Sequence, residues 1–191
     1  MRAVRIHQFG TPDAVVLEDV PVPEPGAGEV LVRVAAAGVA PWDAIIREGN
    51  SKVSPQPPLT LGSDLAGVVE SVGPKVKDFK PGDEVYGVTN PQFCGAQAEY
   101  AVASAAMIAP KPRGLSFIQA ASAPVVAVTA WQMLFEYAKV RNGQTVLVLG
   151  AAGSVGVRQT PKAHFAGVNR TAASRMDAAM ALPSHCARRL W

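Results

Sequence analysis

One segment, residues 145–156, constrains the fold of this chain more than any other. It begins with a short apolar run, Thr145–Leu149, and continues directly into Gly150, Gly153 and Gly156. An unbroken apolar run of this length, rich in β-branched residues, is typical of a strand buried on both faces of a parallel sheet. The segment therefore predicts a buried strand that turns sharply into a helix.

The spacing of the small residues in this turn indicates a chemical role. In the G/A-x-G-x-x-G pattern the first small residue permits a tight turn, the second lets the backbone approach a pyrophosphate, and the third lets the helix pack against the strand. The free N–H groups of the helix N-terminus then face the phosphates. A glycine-rich turn with no ligand remains the alternative. The predicted cofactor-binding residues are Gly150, Ala151, Ala152, Gly153, Ser154, Val155 and Gly156.

Length and composition exclude several classes of protein. The 191 residues leave room for one domain and part of another, and 49% of them are hydrophobic, which is enough for a core. Cys94 and Cys186 lie far apart and outside any C-x-x-C pattern, which argues against a disulfide scaffold and predicts a cytoplasmic setting. No apolar run approaches the ~20 residues of a membrane span, so we expect no membrane partner.

The excess of basic over acidic residues lies in the last part of the chain. Residues 158–191 hold six of the 18 Lys and Arg residues but one of the 15 acidic residues. No aromatic or regularly spaced basic face accompanies these charges, so we expect no nucleic-acid partner.

Short strands separated by Gly and Pro are predicted for the first hundred residues, which favours a sandwich or a small barrel. The strands are expected within residues 1–8, 15–20, 29–36 and 68–72, and after the Pro-Gly turn at 81–82. Helices are predicted over residues 42–48, 116–121 and 126–139. A helix that leads into a buried strand and a glycine-rich turn is the opening of an α/β domain.

The sequence after Val157 does not continue this pattern. A strand–helix–strand unit needs roughly 30 residues or more, yet Pro161 falls within the first turns of the expected helix, where it costs ~3 kcal/mol. We expect residues 158–191 to be irregular or disordered and the 145–149 strand to lack a neighbour. A frameshift or truncation near residue 158 is our hypothesis for this change, and a genuine short variant is the alternative.

Six segments carry a resemblance to a known family, and their order and spacing make the match specific. Residues 1–157 resemble the N-terminal part of the medium-chain dehydrogenase/reductase superfamily, in its zinc-free, quinone-oxidoreductase-like branch. The resemblance implies a β-rich GroES-like catalytic domain over residues 1–122, followed by the opening of an incomplete α/β Rossmann domain over 123–157 and a non-family tail over 158–191. The six segments are residues 25–34, 37–43, 61–69, 81–87, 95–102 and 150–156.

The activity that this resemblance implies is hydride transfer from NADPH or NADH to a small-molecule quinone or conjugated carbonyl. Relatives form homodimers, which we do not expect of this chain, and we expect it to bind the cofactor weakly and to be impaired or inactive. The choice between NAD and NADP stays open. A non-catalytic GroES-like binding module is the alternative function, and a zinc alcohol dehydrogenase is a third.

Zinc-binding relatives carry a cysteine and a histidine at places that here correspond to Ala40 or Pro41 and to Ser63. Alanine and proline side chains cannot bind a metal, and a serine hydroxyl is a poor ligand, so we expect no zinc. The resemblance implies a substrate cleft, for which the candidate residues are Ala40, Trp42, Asp43, Ser63 and Thr129. For Trp42 and Asp43 the alternative is a packed ring and a carboxylate at a helix N-terminus. For Thr129 it is a helix position without ligand contact.

Overall fold

The computed structural model describes residues 1–156 and the backbone of residues 169–173. The chain divides into two units, Met1–Val125 and Val126–Trp191. In the described residues, no helix is long and apolar enough to cross a lipid bilayer.

The first unit contains eight strands among its described residues and two short α-helices. The helices are α1 (Pro41–Arg47) and α2 (Phe117–Ala121). The strands are β1 (Arg2–Ile6), β2 (Val15–Asp19), β3 (Glu29–Ala37), β4 (Leu59–Thr60), β5 (Asp64–Val72), β6 (Glu84–Val88), β7 (Tyr100–Ser104) and β8 (Ile108–Pro110).

Five of these strands form an antiparallel sheet in the order β7-β3-β5-β6-β8. β3 and β5 pair over most of their length, and two irregularities interrupt the register, between Leu31 and Val32 and between Val34 and Ala36. Buried and half-buried residues alternate along β7, as expected of a sheet that packs on one side, whereas β3 and β5 each contain an unbroken buried stretch, residues 30–32 and 64–67. The largest buried cluster of the unit lies here: Val30, Val32, Leu65, Val69, Val85, Ala96, Ala101, Ala103 and Ile108.

The other three strands form a second antiparallel sheet in the order β2-β1-β4. A separate apolar cluster joins this sheet to α1, because Ile46 of the helix packs with Ile6, Leu59 and Leu61. Trp42 packs against the same cluster. The helix is therefore held by its apolar face, and its N-terminal residues lie next to the start of β5.

Local sequence signals explain where the two helices begin and end. Pro41 occupies the first turn of α1, where its missing N–H costs nothing, and Gly49 follows the helix with φ +79°. In α2 the Ser116 side chain accepts from the Gln119 N–H and the Gln119 side chain accepts from the Ser116 N–H. The predicted helices at 42–48 and 116–121 are confirmed.

The second unit begins within helix α3 (Pro124–Trp131), which continues as a π-helical segment (Gln132–Tyr137). The predicted long helix over 126–139 thus exists, but its second half is wound differently. The strand β9 (Thr145–Leu149) follows, as predicted, but the predicted burial on both faces is wrong, because only Val148 of its five residues is fully buried and Thr145 and Leu149 are exposed.

The expectation that β9 lacks a neighbouring strand is wrong. Residues Asn169–Ala173 form β10, which pairs with β9 in parallel from Asn169 opposite Thr145 to Ala173 opposite Leu149. These five residues are therefore regular and not irregular. Backbone pairing does not require apolar side chains, which is why a segment with the sequence Asn-Arg-Thr-Ala-Ala shows no strand pattern. The other residues of the expected tail, 158–168 and 174–191, lie outside the described residues.

Candidate functional site

Four of the five predicted cleft residues lie close together in the first unit, where α1 begins beside the start of β5. Ala40 and Asp43 share a hydrogen bond, from the Ala40 N–H to Asp43 Oδ2 at 2.8 Å. The Trp42 indole donates from Nε1 to Ser63 Oγ at 2.9 Å. The turn of the helix and the entry into the strand thus place Ala40, Trp42, Asp43 and Ser63 in one cluster.

The Trp42–Ser63 contact is the first link of a longer hydrogen-bond chain. The Ser63 hydroxyl donates to Asp64 Oδ2 at 2.8 Å. The other oxygen of this carboxylate, Oδ1, accepts the backbone N–H of Val125 at 2.8 Å. Ser63 and Asp64 are 1% and 5% exposed, so these contacts are shielded from water. In such surroundings each hydrogen bond is strong and each unpartnered group is costly.

Asp43 has a different set of partners from Asp64. Its Oδ2 accepts from the Ala40 N–H and, at 3.3 Å, from Gln97 Nε2, whereas its Oδ1 is buried without a hydrogen-bond partner. Gly62 permits this approach of Gln97, because a Cβ at position 62 would lie 2.5 Å from the Gln97 Cγ, and its φ is +87°. A buried carboxylate oxygen without a partner is expensive when ionised.

Burial changes the acidity of both carboxyl groups. Loss of hydration raises the pKa of Asp43, the Ala40 N–H opposes this, and the nearby charge of Asp64 raises the pKa further. Loss of hydration also raises the pKa of Asp64, against the opposing hydrogen bonds from Val125 and Ser63. The two carboxyl groups therefore retain protons to a higher pH than exposed aspartates do.

A pocket of about 250 Å³ lies beside this cluster, within the first unit. Its lining is apolar apart from one serine hydroxyl, and two of its lining residues, Trp42 and Phe93, are aromatic. Phe93 has a φ of +58°, which is uncommon for a bulky side chain. The lining residues are Trp42, Ile45, Ile46, Ser51, Val53, Phe93 and Val125.

The fifth predicted cleft residue, Thr129, lies on α3 in the second unit and is half-buried. Its assignment to the cleft stays a prediction. Asp64, Val125, Gln97 and Phe93 were not singled out from the sequence. Of these four, only Asp64 carries a signal in the sequence, as a carboxylate directly after Ser63.

The glycine-rich turn after β9 has the local geometry that its spacing predicts. Gly150 has a φ of +65°, and its carbonyl accepts the N–H of Gly153 at 2.8 Å. A Cβ at Gly156 would lie 2.3 Å from the Gly150 oxygen and 2.7 Å from the Ala151 Cα, so only glycine fits there. A helical conformation begins at Ser154. The residues at this turn fit the close backbone approach that a dinucleotide diphosphate needs.

Metal ligands do not cluster in the part of the chain that the structure describes. There, no three His, Cys, Asp or Glu side chains come close enough to hold an ion.

Comparison with known proteins agrees with this geometry. Residues 26–113 match the alcohol dehydrogenase GroES-like domain. The chain is 43% identical to a mouse (Mus musculus) protein, quinone oxidoreductase, over 91% of this chain and 53% of the relative. It is 39% identical to 2-methylene-furan-3-one reductase of tomato (Solanum lycopersicum), over 91% of this chain and 47% of that enzyme. A mycobacterial structure solved with NADPH matches with a TM-score of 0.80 and 33% identity, over 94% of this chain and 55% of that one.

The chain is a quinone-oxidoreductase-like member of the medium-chain dehydrogenase/reductase superfamily. The predicted fold class, a β-rich GroES-like domain followed by the opening of an α/β domain, is confirmed. The chain spans about half the length of the curated relatives that it matches. The mouse alignment covers 91% of the 191 residues, which is more than residues 1–157 alone can supply. It therefore also includes part of the segment after Val157.

Proposed function

We propose that this chain is a zinc-independent, NAD(P)H-dependent oxidoreductase that reduces a quinone or a conjugated carbonyl. The observation that carries the proposal is the pocket beside Trp42, whose lining contains no charged side chain. An apolar pocket with aromatic walls suits a planar ring system with few polar atoms. The mouse and tomato relatives, a quinone oxidoreductase and a 2-methylene-furan-3-one reductase, are named for activities of the same chemical class.

The residue types around the pocket match a substrate that needs little polarisation. Hydride addition to a simple ketone builds negative charge on one oxygen, which calls for a metal or a strong proton donor. In a quinone or an enone the same charge spreads over the conjugated system. Ala40 and Pro41 offer no ligand where zinc-dependent relatives carry cysteine, so the delocalised acceptor is the better fit. Reduction of a quinone consumes the hydride and one proton from solvent.

The nicotinamide cofactor would supply the hydride. The residues that would hold its diphosphate are those of the turn, Gly150, Ala151, Ala152, Gly153, Ser154, Val155 and Gly156, and their tight backbone fits such a group. We propose weak cofactor binding by this chain, because Leu149 at the end of β9 is 49% exposed, although strands of parallel sheets are usually covered on both faces. Titration with NADPH, followed by nicotinamide fluorescence, tests this, and micromolar affinity would contradict it.

The proposed activity is tested by comparing a conjugated acceptor with a ketone that has no conjugation. At an NADPH concentration high enough to offset the weak binding, the full chain should oxidise NADPH slowly in the presence of 1,4-naphthoquinone and not in the presence of cyclohexanone, which has no conjugation. The same two reactions with an S122A variant serve as the control, because the exposed Ser122 hydroxyl donates to the Gln119 carbonyl of its own helix segment and does not line the pocket. Equal rates with both acceptors, or faster reduction of the ketone, would contradict the proposal.

A binding module without catalysis is the second candidate, and one observation favours it. The pocket lies entirely within residues 1–125, and so does the apolar cluster that shares Trp42, Ile46 and Phe93 with its lining. This unit has what it needs to bind a small apolar ligand without the second unit. Binding of 1,4-naphthoquinone without any NADPH-dependent turnover would favour this alternative.

A further inference from the structure

Two of the pocket walls are connected to the same pair of buried side chains. Trp42 donates to Ser63 through its indole N–H, and Val125 donates to Asp64 through its backbone N–H. Ser63 and Asp64 are joined to each other by the serine hydroxyl and do not themselves line the pocket. The walls therefore come from distant parts of the chain, and a single polar connection fixes both.

Each hydrogen bond in this connection can run in only one direction from donor to acceptor. The Ser63 hydroxyl has one proton, which goes to Asp64 Oδ2, so its lone pairs are left to accept from Trp42. Asp64 accepts on both oxygens, one from Ser63 and one from Val125. Reversal of any link would leave a buried donor or acceptor without a partner, which is costly. The direction of the hydrogen bonds thus determines the orientation of the Trp42 ring.

We propose that Ser63 and Asp64 form a brace that sets the distance between Trp42 and Val125 and thereby selects planar ring systems as substrates. The proposal rests on the proposed function, since it names which acceptors the same pocket takes. Ser63 and Asp64 act through the two walls and are positioning residues. Trp42 is the wall that they orient, and Phe93 supplies a second aromatic side chain to the lining. A flat π-system gains from stacking on such side chains, whereas a saturated ring of the same skeleton does not.

The neighbouring acid, Asp43, is separate from the brace. Its oxygen Oδ2 accepts from Ala40 and Gln97, so it holds the start of α1 and not the indole of Trp42. Burial raises the pKa of Asp64 as well as that of Asp43. Whether Asp64 is protonated or ionised, one of its oxygens can still accept the backbone N–H of Val125.

The indole N–H of Trp42 reports on the brace directly. In the full chain labelled with ¹⁵N-tryptophan, the indole signal that disappears in W42F belongs to Trp42. In S63A we expect this signal to move and its hydrogen exchange to become about three- to tenfold faster, because one partly buried hydrogen bond is lost. In D64N the serine hydroxyl loses its acceptor, since the amide must donate to Ser63 if its oxygen accepts from Val125, and the signal should move again. S122A should leave the signal and its exchange rate unchanged.

Ligand selection is measured on the same samples with two probes that need neither cofactor nor turnover. Naphthalene is flat, and trans-decalin has the same carbon skeleton but is saturated. Wild type should bind naphthalene more tightly, as seen in the shift of the Trp42 signal, and S63A should reduce this preference about fivefold or more. S63T, which retains the hydroxyl, should restore part of it.

Each outcome decides the proposal. An unchanged Trp42 signal in S63A would overturn the brace, and a changed signal with an unchanged naphthalene preference would overturn its role in selection. If S63A does not fold, D64N provides the same test, since it breaks the link between Ser63 and Asp64 and keeps Trp42 in the pocket wall. An unchanged Trp42 signal together with the wild-type preference for naphthalene would then overturn the proposal. Failure of the NADPH reaction with 1,4-naphthoquinone would contradict the proposed catalytic function and leave these results standing.

Discussion

Replacement of Ser63 by alanine should destabilise the first unit by about 2–4 kcal/mol. The substitution leaves two groups without their partners, the Trp42 Nε1–H and Asp64 Oδ2, and Ser63 is only 1% exposed, so water does not replace the hydroxyl. Leaving one buried polar group unsatisfied costs ~1–3 kcal/mol, with the higher figures for charged groups. The indole is the cheaper of the two because it is only half-buried.

Urea unfolding of the full chain, followed by tryptophan fluorescence, measures this effect. With a denaturant dependence of ~2 kcal/mol per molar urea, in the middle of the usual range for small domains, the midpoint of the first unit should fall by roughly 1–2 M. S122A is the matched control, because the lost hydroxyl is exposed and the change in stability should stay within ~0.5 kcal/mol. A loss below ~0.5 kcal/mol in S63A would refute the hydrogen-bond chain as described.

Two further perturbations test the buried carboxyl and the glycine-rich turn. Because burial raises the native pKa of Asp64, its contribution to stability is fully present below the ordinary carboxyl pKa and is lost as pH rises through the raised native value. The free energy of unfolding of wild type minus that of D64N should therefore fall as pH rises over this window, by about 1.4 kcal/mol per unit of pKa shift, and a difference independent of pH would contradict the burial. In the turn, G156A should weaken NADPH binding well beyond G153A, because the new Cβ lies 2.3 Å from the Gly150 oxygen in one case and 3.2 Å in the other. Equal NADPH titrations for the two variants would show that close packing at position 156 is unimportant.

Much of the fold was predictable because its signals are local. Local signals include the Gly and Pro residues that separate the short strands of the first unit, the proline that begins α1, the serine that caps α2 and the glycines of the final turn. Each of them acts within a few residues. Order and spacing of such segments also identified the family.

The contacts that build the site were not predictable in this way. Trp42 and Ser63 meet only because α1 packs beside the start of β5, and Val125 reaches Asp64 from far along the chain. Such pairs leave no periodic pattern in a single sequence. β10 was missed for a related reason, because parallel pairing uses the backbone of Asn169–Ala173 and does not require an apolar run.

The central claim is that a metal-free apolar pocket in residues 1–125 receives a quinone for reduction, and blocking this pocket tests it most directly. Val53 lines the pocket and is 56% exposed, so V53W should fill the pocket with little effect on folding. L17W is the matched control, because Leu17 is 65% exposed on β2 and does not line the pocket. NADPH-dependent reduction of 1,4-naphthoquinone by chelator-treated full chain should persist in wild type and L17W and fall at least tenfold in V53W. Equal rates in V53W and L17W, or a wild-type rate that disappears with the chelator and returns with zinc, would contradict the account.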